Sequence, residues 1–165
     1  MPNVGSIFQV DVEEGRRRYF WCVGTDRSQL NSDLIVAFRQ SHDSASPVDL
    51  DAIVADEVDF YCHVLIPIGK KQGHWQKVGS RRVSRSFPML FRDSNDYGDS
   101  TVRVSEQWYV WEPNNPFRTV GRLTGALTKA EIGVVFPPDC VVNRMRTGTY
   151  GIAYPAYAED RQPCA

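Results

Sequence analysis

The sequence is poor in lysine and histidine, with four lysines and three histidines against fifteen arginines in 165 residues. Neither sign of charge dominates: 19 basic and 20 acidic residues leave a formal net charge of −1. A chain so balanced has no global pull toward nucleic acid or an anionic membrane. The four cysteines, Cys22, Cys62, Cys140 and Cys164, include no CxxC pair, and two of them sit inside apolar runs as buried free thiols do. A reducing compartment is the simpler reading. No apolar stretch approaches the roughly 18 residues of a membrane span, and Met1–Gly5 lacks the basic region and apolar run of a signal peptide. The expectation is a cytoplasmic chain. Nucleophile-elbow, phosphate-loop and dinucleotide motifs are missing, as are internal repeats, low-complexity blocks and linkers.

What is present is ordinary globular composition, 42% hydrophobic, 12% aromatic and 24% charged, at a length that suits one domain. That domain is expected over 1–157, with a loose tail over 158–165. Phe8, Val10 and Val12 alternate with polar neighbours, and Glu13-Glu14-Gly15 turns the chain into Arg17–Gly24, a hairpin pattern. The second strand is apolar on both faces, so it should lie centrally in its sheet. Asp33–Arg39 reads as a third strand. Ser46 and Pro47 then suggest a helix start, with Val48, Leu50, Ile53 and Val54 at helical spacing up to about Asp56. Phe60–Ile68, a basic turn at Gly69–Gly73 and Trp75–Val78 predict a second hairpin. Phe87–Phe91 predicts a short strand, Asp93–Ser100 an exposed turn, and Val102–Val104 with Trp108–Trp111 a third hairpin. Pro137 and Pro138 open a helix that Gly148 closes, and Tyr150–Tyr157 predicts a last strand. The fold class expected is α+β, a mainly antiparallel curled sheet or partly open small barrel with two short helices. Phe8, Trp75, Val78 and Phe91 are expected together in one core.

Chemistry-bearing residues are sparse. His42, His63 and His74 form no His-x-x-x-His or His-Glu pair, so no metal site is expected, and only a pocket joining His63 or His74 to a carboxylate would argue for an enzyme. Asp93, Asn95, Tyr97 and Asp99 alternate like the start of a calcium loop with Gly98 at its sixth position, but Val104 occupies the twelfth, where a glutamate is needed. Arg16-Arg17-Arg18, Lys70-Lys71 and Arg81-Arg82 with Arg85, interleaved with Tyr19, Phe20, Trp21 and Trp75, suit a stacking groove. A nucleic-acid-binding small barrel is therefore the alternative function, diluted by the 20 acids.

Gly5-Ser6-Ile7-Phe8 followed by Arg18-Tyr19-Phe20-Trp21-Cys22-Val23-Gly24 resembles the opening strands of the immunity protein 26 family of bacterial polymorphic toxin systems. Gly73-His74-Trp75-Gln76-Lys77-Val78-Gly79 is similar to that family's Gly-x-Trp-x-x-x-Gly segment, and Phe87-Pro88-Met89-Leu90-Phe91-Arg92-Asp93 to the proline-containing strand after it. Ser6 stands where an acidic residue is usual and Trp21 where a small one is, and Trp108–Ala130 has no counterpart. The resemblance implies a cytoplasmic, non-enzymatic protein, without catalytic residues, cofactor or metal, that binds and neutralises a cognate toxin. Many toxins of these systems are nucleases with basic clefts, so exposed carboxylates are the natural contacts. Two acidic patches are candidates: Asp49, Asp51, Asp56, Glu57 and Asp59, and Asp93, Asp96 and Asp99.

Overall fold

A computed structural model describes residues 3–159. The remainder of the expected tail, 160–165 with Cys164, lies outside the described residues. The strands are β1 (Ser6–Glu13), β2 (Arg16–Asp26), β3 (Ser32–Phe38), β4 (His42–Asp43), β5 (Val58–Val64), β6 (Gln76–Ser80), β7 (Phe91–Ser94), β8 (Val104–Ser105), β9 (Trp108–Trp111), β10 (Arg118–Gly121), β11 (Glu131–Ile132), β12 (Val135–Phe136) and β13 (Ala156–Tyr157). The helices are α1 (Leu50–Ala55), α2 (Ile66–Lys71) and α3 (Pro138–Thr147), and a 3-10 turn spans Gly125–Lys129. The expected α+β class holds. The main sheet is curled and open, in the order β12-β5-β3-β2-β1-β6, with β4 paired to the start of β2. A smaller sheet runs β10-β9-β7-β11, and β8 pairs with β13. Most pairings are antiparallel, while β11–β7, β12–β5 and β13–β8 are parallel.

The both-sides-apolar strand β2 is central, as its sequence requires. Phe20 and Cys22 face a core with Phe8, Ile35, Phe60, Trp75, Phe136 and the Val141, Val142 and Met145 side of α3. Tyr19 and Trp21 face the opposite core, shared with Val36, Ile53 of α1, and Phe91 and Trp111 of the second sheet. Each large side chain so buried contributes about 1.5–3 kcal/mol relative to exposure. The four residues expected in one core are therefore split: Phe8 and Trp75 lie on one side of the main sheet, Phe91 and a half-buried Val78 on the other. Trp75 and Val78, an odd number of residues apart, fall on opposite sides of the main sheet, and Phe91 belongs to the second sheet packed against one of them.

Several expected elements differ. The second hairpin is absent: β5 and β6 do not pair, β6 pairs with β1, and α2 occupies the position of the expected turn. Pro67 favours a first helical turn, the Asp33 carboxylate accepts the Ile66 N–H at 3.1 Å, and the Trp75 indole donates to the Ile66 carbonyl. Three α-helices are thus present among the described residues, not two. The N-cap of α1 is Asp49, whose Oδ1 accepts the Ala52 N–H at 3.1 Å, so the helix starts after Pro47 rather than at it. The third hairpin is also rearranged, since β9 lies between β7 and β10 while Val104–Ser105 pairs with Ala156–Tyr157. Strand β7 begins at Phe91 and takes in Asp93 and Ser94, so the expected strand and turn are both displaced. In the last segment Pro155 confines the strand to Ala156–Tyr157. Helix α3 matches its expected span, and Gly148 closes it in the left-handed conformation at φ 87°.

Candidate functional site

The first acidic patch lies on α1 and the entrance to β5. Asp49, Asp51 and Glu57 are exposed, while Asp56 and Asp59 are half-buried. The Arg81 guanidinium donates to Asp51 at 2.5 Å and holds its carboxyl below the ordinary range. Arg39 lies 3.4 Å from Glu57 and 3.7 Å from the second oxygen of Asp59. Asp56 accepts the backbone N–H groups of Gln40 and Glu57, and Arg85 donates to the Val54 and Asp56 carbonyls. The patch is therefore a mixed-charge face. Asp59 serves the fold, accepting from Arg18 at 2.6 Å, whose guanidinium also donates to the Phe38 and Met145 carbonyls.

The second patch is not a uniform acidic surface. Asp99 is exposed and accepts the Thr101 N–H and O–H, which hold its carboxyl low. Asp96 accepts from the Ser105 hydroxyl, itself bonded to Ser94. Asp93 sits on β7 opposite Tyr109 of β9. Burial pushes the Asp93 carboxyl up, against the Ser94 N–H and the Tyr154 and Tyr109 hydroxyls that favour its ionised form. Charge reversal at Asp93 or Asp96 would break these bonds, so of the three only Asp99 is a free surface probe.

The Arg16–Arg18 cluster is tied into the fold, and so is Arg144 outside it. Arg16 donates to Ser41, Arg17 to Gln9 and the Ser46 carbonyl, and Arg144 pairs with Glu131 at 2.7 Å while lying over Phe60 and Tyr150. Among the described residues no group of three or more His, Cys, Asp or Glu is placed to hold a metal ion. No helix of the described residues is long and apolar enough to cross a membrane.

The histidines diverge. His74 lines a shallow cleft of about 260 Å³ with Asp11, but no hydrogen bond joins them. His63 meets a carboxylate that sequence reasoning passed over: its Nε2 lies 3.1 Å from Asp26 Oδ2, and both side chains are fully buried. The same oxygen accepts the Trp111 indole N–H at 3.0 Å, while Oδ1 takes backbone N–H groups from Ser28, Gln29 and Asn114. Burial raises the Asp26 carboxyl, but these donors outweigh it and hold it below the usual range. Burial lowers His63 despite the neighbouring carboxylate. The imidazole is thus neutral, donating Nε2–H to Asp26, with Nδ1 buried and unpartnered. The pair lies within the main sheet with both side chains buried, and it is the Trp111 bond to Asp26 that ties the second sheet to it. Its only trace in the sequence is an Asp-x-Ser turn at the end of an apolar strand, a pattern common to many surface loops.

Cys22 and Cys62 are buried free thiols whose pKa burial pushes up to about 12, which keeps them unreactive. Comparison with protein-family models, with curated proteins and with solved structures finds no match.

Proposed function

We propose that this chain is an immunity protein, a cytoplasmic partner that binds and neutralises a cognate bacterial toxin through a protein–protein interface. One observation carries the reading: the separate segments that resemble the immunity family converge on one structural unit. Ser6–Phe8 of the first segment, Arg18–Gly24, and Gln76–Gly79 of the Gly73–Gly79 segment lie in the adjacent strands β1, β2 and β6. Gly5 donates its N–H to the Cys22 carbonyl at 2.8 Å, and Ile7 and Phe8 pair with Gly79 and Lys77, joining the first, second and third segments. The fourth segment closes over them, with the Phe87 ring edge-on to Trp21 at 6.1 Å. Trp21, a departure from the family pattern, is absorbed into the same unit by its indole bond to the Gly5 carbonyl.

Such a scaffold works by presenting a rigid face, commonly about 800 Å² per partner. The face on α1 and the start of β5 is the proposed contact, because its exposed carboxylates, Asp49, Asp51 and Glu57, border the convergent unit through the Asp51–Arg81 pair. Exposed acids speed association with a basic partner more than they stabilise the fold. The test is co-expression with the toxin encoded beside this chain, scored by survival and co-purification. The native protein should protect and co-purify one to one. Lysine at Asp51 and Glu57 should weaken protection without lowering the urea midpoint by more than about 1 kcal/mol equivalent. No protection by the native protein rejects the reading for that toxin, and unchanged protection by the double variant rejects this contact face.

A further inference from the structure

A cleft of about 240 Å³ opens between the β2–β3 turn and the second sheet, lined in part by Leu30, Asp93, Tyr109, Trp111 and Phe117. It is smaller than the roughly 300–1,000 Å³ of drug-sized sites, and so suits a single side chain. Phe117 is 53% exposed, and its ring meets Tyr109 at 5.1 Å and 54°, giving two aromatic walls at an angle. Tyr109 stacks in turn on Trp111 at 5.9 Å, and Trp111 is locked by its indole bond to the buried Asp26. The Tyr109 wall is therefore held in place by Trp111.

The carboxylate among them lacks a counter-ion. Asp93 Oδ1 accepts the Ser94 N–H at 2.8 Å and the Tyr154 hydroxyl at 2.9 Å, whereas Oδ2 has only the Tyr109 hydroxyl at 3.3 Å. No Lys or Arg among the described residues pairs with it. Electron-rich ring faces beside a half-buried, unneutralised carboxylate are complementary to an organic cation. We infer that this cleft is the receptor for a basic side chain, an arginine guanidinium first, projecting from the protein partner. The guanidinium would lie against the Phe117 and Tyr109 rings and donate to Asp93 Oδ2. This names an anchor for the partner and rests on the immunity reading for the partner's identity, but not for the chemistry of the cleft.

The experiment separates the two. The full chain is titrated with N-acetyl-arginine amide, with N-acetyl-lysine amide and with neutral N-acetyl-glutamine amide, following the Trp111 indole N–H and the backbone amides of Asp93, Tyr109 and Phe117 by NMR. Arginine amide should give saturable shifts at those positions with a millimolar Kd, lysine amide a weaker one, and glutamine amide none. Asp93→Asn, a near-isosteric change, should weaken arginine binding about fivefold or more. Phe117→Ala, an exposed site that leaves the core untouched, should weaken it about threefold. Equal shifts with the glutamine amide, no saturable shift with either cation, or full binding by both variants overturns the inference even if the protein neutralises a toxin. Saturable, Asp93-dependent binding upholds the cleft even if no neighbouring toxin is neutralised. Where the native protein does protect, both variants should lower co-purification of the toxin, and unaffected co-purification overturns the anchor role.

Discussion

Two buried groups with no route to solvent make the chain's stability depend on pH. His63, held neutral by burial, titrates below the free imidazole value of about 6.5. As pH falls through that value the unfolded chain takes up a proton that the folded chain refuses, so stability is fully present above it and declines below. Asp26, held below the ordinary carboxylate range, adds a loss of the same sign at lower pH. Protonating His63 would also bury an N–H on the unpartnered Nδ1. The urea midpoint should therefore fall between pH 7 and pH 5, and His63→Gln, which can still donate to Asp26, should flatten that fall while lowering stability at pH 7. Equal pH slopes for the two proteins would refute the assignment. The sequence showed His63 on a strand, but its partner lies 37 positions away. A pairing of that range leaves no local pattern to read.

Local signals at the element scale were reliable where the chain's own chemistry decided the outcome. The Pro137-Pro138 start and Gly148 stop of α3 are intrinsic to the backbone, and the structure keeps both. One misread segment is α2. Gly69–Gly73 has the composition of a hairpin turn, yet a helix forms because Asp33 of another strand holds its first N–H and Trp75 folds back onto it. Gly69 is needed there for close approach: a Cβ at this position would fall inside the contact distance of the Trp75 ring. Gly69→Ala, which would favour an isolated helix, should instead cost about 1–3 kcal/mol by overpacking. Trp75→Ala should cost about 3–5 kcal/mol. In the Trp75→Ala background the Gly69 change should become nearly neutral. A double-mutant cycle in urea checks this coupling, and additive costs would contradict it.

For the whole molecule, one side chain spans the main layers. Arg18, 9% exposed in the central strand β2, donates to the end of β3 at Phe38, to Asp59 of β5 and to Met145 of α3. Arg18→Met should fill much of its volume yet leave two buried carbonyls without their donor, costing about 2–4 kcal/mol. Restoration to lysine should recover less than half of that, because an ammonium cannot address three acceptors in a plane. In the sequence Arg18 reads as one of a basic trio and hence as a groove residue. Alternation puts Arg16 and Arg18 on one face of β2, and only the fold shows that Met145 of α3 and Asp59 enclose the second of them. The acidic candidates are partly legible in the same sense: composition finds Asp93 and Asp96, but only the fold shows them engaged by tyrosine and serine hydroxyls.

Helix α3 covers the same face of the main sheet as Phe8, Phe20 and Phe60, yet its residues come from 138–147, long after those strands. On the ribosome the first five strands must therefore emerge with an oily flank and no lid, and must wait for some 75 further residues after β5, at about 5–20 residues per second, before it is covered. Nascent chains arrested before Pro138 should accordingly be captured by chaperones or aggregate, whereas chains arrested after the helix has cleared the exit tunnel should resist protease.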